Sequence, residues 1–163
     1  MKPAANYLDI SLARQELSLI ESGVIKRVFP VSTAKNGAGQ RKGSFCTPLG
    51  WHCIRAKIGA AAPLAAVFVG RRPTGEIYSP DLAAQHPQRD WILTRILWLS
   101  GLEPGKNRYG AVDSGSRYIY IHGSPDHLID GVPDSHGCVR MHNADVTALF
   151  ELVSPGCRVY IHE

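Results

Sequence analysis

A chain of 163 residues, 44% hydrophobic and 20% charged, has an ordinary globular composition and room for one well-buried core. Its net charge of +4 is modest, and the lysines and arginines are scattered rather than striped, which argues against a nucleic-acid surface. No segment reaches the length of a membrane span; the apolar run Gly59 to Gly70 holds only twelve residues and a proline.

In chain order, Leu8, Ile10 and Leu12 alternate with polar residues, as do Leu17 and Leu19. A Glu-Ser-Gly turn follows, then the run from Val24 to Val31, so the chain opens on an antiparallel meander. Lys35 to Gln40 is a loop by its Asn-Gly and its glycines. Strands are expected from Trp51 to Ile58 and from Val67 to Gly70, with Arg71-Arg72 before Pro73 read as a solvated turn. Pro80 to Gln85 predicts a helical turn, Trp91 to Leu99 a buried strand, and Leu102 to Ser116 a loop. Arg117 to Ile121 reads as a strand through its β-branched and aromatic residues. Asn143 to Val153 is the one main helix: Asn143 can cap it, Asp145 suits its first turn, and Val146, Leu149, Phe150 and Val153 form an apolar stripe. Pro155-Gly156 stops it, and Arg158 to His162 alternates again. The expectation is a mostly β single domain over residues 1–163, with one helix packed near the C-terminus.

The start, Met1 to Ile10, carries one positive charge but no apolar stretch of seven residues, and Asp9 interrupts it. A cytosolic protein is therefore expected, and a periplasmic one only if a leader has been removed. Four cysteines are present, Cys46, Cys53, Cys138 and Cys157. In a cytosolic chain they stay reduced, although Cys46 and Cys53 flank one turn and could face each other across it.

The most informative stretch is Ser135 to Ala144, Ser-His-Gly-Cys-Val-Arg-Met-His-Asn-Ala, together with His122, fourteen residues before His136. A thiol, two imidazoles and a guanidinium are the parts of a cysteine acyl-transfer site. Gly137 lets the backbone turn sharply so that the Cys138 thiol can project. His122, at a strand end, is the candidate base, and Gly123 after it lets a carbonyl come close to orient the ring. His136 is the candidate for shaping the oxyanion hole or positioning substrate. Pairing with His122 predicts a thiolate that forms well below the ordinary thiol pKa of about 8.5. The rival within these residues is zinc, held by His122, His127, His136, Cys138 and His142, but their spacings fit no paired-ligand pattern and no metal is expected. Ser135 is a poorer nucleophile than its neighbour. A binding module with a vestigial site is a further alternative, and the complete set of site residues speaks against it.

His-Gly, a short loop, then Ser-His-Gly-Cys-Val-Arg resembles the signature of the L,D-transpeptidase (YkuD) catalytic domain family. Thr47-Pro48-Leu49-Gly50-Trp51 resembles the family's Thr-Pro-x-Gly strand and turn, and the span Asn6 to Ile161 has the length of one such domain. Twelve residues separate His122 from Ser135, toward the short end for the family, which implies a compact loop over the site. The resemblance implies a β-sandwich or open barrel with the site in a groove beside the helix. It also implies that the upstream histidine is the base, with a backbone carbonyl as third member of the triad, and that no cofactor is needed. Its substrates are peptidoglycan stem peptides or muropeptides, cleaved between the L-centre of a diamino acid and the terminal D-Ala, and carbapenems acylate its thiols. Arg140, Ser135 and Arg95 are the candidate substrate contacts, the arginines for carboxylates. Release of the thioester by water defines an L,D-carboxypeptidase, release by an amine an L,D-transpeptidase. A cytosolic location favours the first, in muropeptide recycling.

Overall fold

Alternating apolar residues become strands wherever one face can be buried, and among the described residues ten strands form one continuous sheet. The computed structural model describes residues 5–163. The meander is β1 (Asn6–Ser11), β2 (Glu16–Glu21) and β3 (Val24–Ser32). Then come β4 (Gly50–Ile58), the hairpin β5 (Ala66–Val69) and β6 (Arg72–Ile77), and the short helix α1 (Pro80–Gln85). The chain closes with β7 (Ile92–Gly101), β8 (Tyr120–Gly123), β9 (Val139–Met141), helix α2 (Asn143–Leu152) and β10 (Arg158–His162).

The order β4-β10-β1-β2-β3-β9-β8-β7 closes on itself through a β4–β7 pairing, which makes a barrel. The β5–β6 hairpin hangs from the first residues of β7, where Val67 pairs with Leu93. Leu8, Ile10, Leu17, Phe29, Ile54, Leu97, Ile121, Val139 and Ile161 fill the interior, and Val146, Leu149, Phe150 and Val153 of the α2 segment join the same cluster. The mostly β architecture with one main helix near the C-terminus is the one the sequence predicts.

Three local readings need correction. The strand expected at Arg117 starts at Tyr120, because residues 114–118 are a tight turn in which Tyr118 has φ 56° and its amide bonds to Gly115. His122 therefore lies inside β8 rather than at the end of a run beginning at Arg117. Asn143 is the first helical residue, not the cap: its side-chain amide donates to Ser124 O and Asp126 Oδ1, and the Asp126 carboxylate also accepts its backbone N–H at 2.9 Å. The pair Arg71-Arg72 is a turn, yet Arg71 is half-buried and Arg72 begins a strand. All four cysteines are free thiols, as the sequence reading expected, and Cys46 and Cys53 are not joined.

Candidate active site

The site is built on two adjacent parallel strands. β8 and β9 pair with Ile121 beside Val139 and His122 beside Arg140. Side chains alternate across a strand, so Ile121, Val139 and Met141 enter the core while Tyr120, His122, Cys138 and Arg140 emerge together on the opposite face. Cys138, His122, His136, Arg140, Asp90 and Arg71 line one cavity of about 390 Å³ on that face. A larger apolar hollow of about 500 Å³ lies beside the β5–β6 hairpin, but Glu76 is its only titratable lining residue, so it is not where acyl chemistry can occur.

The turn before Cys138 is tied down from both sides. The Ser135 backbone bonds to the strand extension after β3, with its amide on Thr33 O at 2.9 Å and its carbonyl accepting from Lys35 at 3.0 Å. Its hydroxyl donates to Cys138 O at 2.6 Å and accepts from the Gly137 amide at 3.2 Å. Ser135 is thus a clasp within the motif, its hydroxyl already used. Gly137 has φ 129°, and a Cβ there would meet Cys46 O at 3.1 Å and Ile119 Cδ1 at 3.2 Å. Only glycine suits that backbone.

His122 is buried, and its Nδ1 lies 2.6 Å from the carbonyl of Gly123. A carbonyl can only accept, so Nδ1 carries the proton and Nε2 holds the lone pair. The ring is therefore in the tautomer a general base requires, oriented by a backbone carbonyl rather than a carboxylate. Gly123 itself has no room for a side chain: a Cβ would collide with the Leu93 carbonyl and approach Asn143 Oδ1 to 2.7 Å.

The Cys138 sulfur accepts from the Tyr120 amide at 3.3 Å and donates to the Tyr118 carbonyl at 3.4 Å. Burial pushes the thiol up to about 12, against the lowering influence of the Tyr120 amide. Burial likewise pushes His122 below its ordinary value, the Gly123 bond opposing it. Desolvation thus acts against the thiolate expected well below the ordinary thiol range and against an imidazolium at His122.

Arg140 is buried and already paired, with Nη2 3.0 Å from Asp90 Oδ1 and Nη1 3.5 Å from Asp134 Oδ2. His136 is exposed, with its ring edge-to-face on Phe45 at a centroid distance of 5.6 Å. Arg95 is elsewhere, a correction to its reading as a substrate contact. It sits in the register shift between Leu93 and Ile96, donates to Ala62 O and Thr94 O, and lies 5.5 Å from the Phe150 ring of α2. Among the described residues no group of three or more His, Cys, Asp or Glu side chains is gathered as a metal site; His142 pairs with Asp145 at 3.3 Å instead.

Sequence reasoning missed Arg71, Asp90, Arg117 and Tyr118, all of which line the cavity. Arg117 donates to Gln40 O at 3.0 Å and Cys46 O at 2.8 Å, pinning the loop before β4 beside the site. A single signal was available for Arg71, the Gly-Arg pair at a hairpin tip, and it reads equally well as solvated.

The sequence model of the YkuD L,D-transpeptidase catalytic domain matches residues 5–161. Similar solved structures include an L,D-transpeptidase from Xylanimonas cellulosilytica, 20% identical, covering 99% of this chain and 62% of that one, with a TM-score of 0.57. An L,D-transpeptidase from Mycobacterium smegmatis is 17% identical over 98% of this chain and 59% of its own, at 0.57. L,D-transpeptidase 3 from Mycobacterium tuberculosis, in complex with a faropenem-derived adduct, is 17% identical over 98% of this chain and 60% of its own, at 0.58. This chain therefore spans about three fifths of those structures' length. No curated protein sequence matches. At these identities the solved structures show a shared fold, and the family match over nearly every described residue carries membership: the chain belongs to the YkuD L,D-transpeptidase catalytic domain family.

Proposed function

We propose that Cys138 is the nucleophile of an acyltransferase acting on peptidoglycan stem tetrapeptides, and that water releases the acyl group, which makes the enzyme an L,D-carboxypeptidase. The observation that carries the reading is His122, its Nδ1 proton committed to Gly123 O and its Nε2 free to accept, on the same strand face as Cys138.

A turn of the Cys138 side chain away from the Tyr118 carbonyl brings its S–H toward Nε2. His122 takes the proton as sulfur attacks the carbonyl carbon of the diamino acid, forming a tetrahedral oxyanion. The C–N bond breaks, His122 gives the proton to the departing amine, and D-Ala leaves from a thioester. Water then attacks the thioester carbon and His122 accepts its proton. The C–S bond breaks, the sulfur is reprotonated, and a tripeptide is released with its new carboxyl group. No cofactor enters any step.

Hydrolysis is supported by the size of the cavity at Cys138, about 390 Å³, which is room for the end of one stem peptide. A cytosolic role on recycled muropeptides goes with that reading. The Asp90 carboxylate, 43% exposed and facing the same cavity, favours a second reading, because it can receive the ammonium group of an acceptor stem. Incubation with a disaccharide tetrapeptide, followed by mass spectrometry, separates the two. Loss of one D-Ala without dimers supports hydrolysis. Dimers or D-amino-acid exchange establish transpeptidation and remove the case for recycling.

A further inference from the structure

The β5–β6 hairpin turns through two residues, Gly70 and Arg71, between the paired Val69 and Arg72. Both have positive φ, 55° and 64°, the geometry that favours Asn-Gly or Gly-Gly. Arginine at the second position is disfavoured by its own Cβ. Such an outlier points to something gained by the side chain.

The Arg71 guanidinium lies 4.8 Å from the Trp98 ring centroid and 4.8 Å from that of Tyr118, and its Nη1 donates to the Tyr120 hydroxyl at 3.0 Å. Tyr120 is also the residue whose amide holds the Cys138 sulfur. The plane of the cation is therefore set by two aromatic rings and a phenol at the edge of the catalytic cavity. Among the described residues no carboxylate lies within ion-pair distance of it. The cavity's other arginines are occupied, Arg140 by Asp90 and Asp134, Arg117 by backbone carbonyls. We propose that Arg71 is the anchor for a free carboxylate of the acyl donor, selecting peptides that carry one close to the bond attacked by Cys138. The guanidinium's remaining N–H groups suit a two-point carboxylate contact. This inference rests on the acyltransferase reading for its substrate, but its first test does not.

Iodoacetate and iodoacetamide alkylate a thiol by the same displacement and differ in carrying a carboxylate or a neutral amide. Their rates at Cys138, read by peptide mass spectrometry over hours at pH 8, give a ratio for each variant. R71Q and R71G are expected to lower the iodoacetate-to-iodoacetamide ratio by about tenfold, as loss of a charge-assisted contact predicts, with R71K intermediate. R71G suits the turn and is expected to fold at least as stably, so a lowered ratio there is not a folding defect. R55Q removes a charge that lies 4.1 Å from the same Trp98 ring but outside the cavity lining, and should leave the ratio unchanged. An unchanged ratio in R71Q and R71G, or an equal fall in R55Q, overturns the anchor. With tetrapeptide, the C-terminal amide tests the terminal carboxylate, and lysine in place of diaminopimelate tests the side-chain carboxylate. In whichever arm carries the contact, wild type loses rate and R71Q shows no further loss. A wild-type protein that turns over no stem peptide, yet shows the Arg71-dependent alkylation ratio, refutes the substrate reading and leaves the anchor standing.

Discussion

Thr47 Oγ1 donates to the carbonyl of Gly137 at 2.9 Å and accepts from the amide of Ala34 at 3.0 Å, with Thr47 itself wholly buried. The Thr-Pro turn is thereby bonded to the peptide that precedes the nucleophile, and both to the strand extension after β3. T47V keeps the shape and removes both bonds, leaving two backbone groups unsatisfied. Urea unfolding should show a loss of roughly 2 to 4 kcal/mol. T47S should recover most of it, and kcat should track the loss of order at Cys138.

A second expectation concerns Gly137. Alanine there is strained by the positive φ and crowds the Cys46 carbonyl at 3.1 Å. G137A should lower kcat/KM by more than about a hundredfold, since a shift of about 1 Å in a reacting atom has that effect. A circular dichroism melt run alongside separates this from unfolding.

The pH profile follows from two opposed shifts. Cys138 is neutral at pH 7 because its pKa is raised to about 12, and His122 is neutral because its pKa is lowered beneath 6.5. The proposed mechanism requires His122 unprotonated, so kcat/KM should be level at neutral pH and fall only as pH drops through the lowered His122 value. Iodoacetamide should react with Cys138 at pH 7 more slowly than with a small free thiol. A fast reaction near pH 6 would restore the thiolate–imidazolium pair.

His52 makes stability depend on pH by the same physics. It is buried between Gly50 O at 3.0 Å and Ser114 Oγ at 2.9 Å, and burial pushes its pKa from 6.5 to about 4. Below pH 6.5 the unfolded chain takes up the proton first. The contribution is therefore whole above 6.5 and is lost as pH falls toward 4, about 3 kcal/mol in all. Urea unfolding at pH 7 and pH 4.5 should show most of that loss in wild type, and H52Q should flatten it.

The proposed nucleophile and base are legible in the amino-acid sequence, because Ser135 to Arg140 is one local turn and strand and His122 marks the strand beside it. Alternation in β1 and β2 and the stripe of α2 are legible for the same reason: their period is set by neighbours a few residues away. The start of α2 is a mixed case. Asn143 has the chemistry of a cap, but in the folded protein the Asp126 carboxylate reaches its backbone amide and Asn143 turns its side chain onto Ser124 and Asp126.

Arg71 meets Tyr120 across 49 positions and Arg140 meets Asp90 across 50, so neither pairing exists until the barrel closes. Arg95 shows the same dependence in reverse: the register shift in β7 turns it toward Phe150, away from the site its charge suggests. The direction of the Cys138 shift also waits on the fold, since desolvation depends on how much protein surrounds the sulfur rather than on its neighbours in sequence. What the amino-acid sequence determined by itself is the set of groups the proposed chemistry uses: a cysteine, a histidine and the glycines that let both approach. What only the tertiary structure decided is how strongly burial disfavours charge on that pair and which arginine is left free, because burial and ion pairing belong to residues the chain keeps far apart.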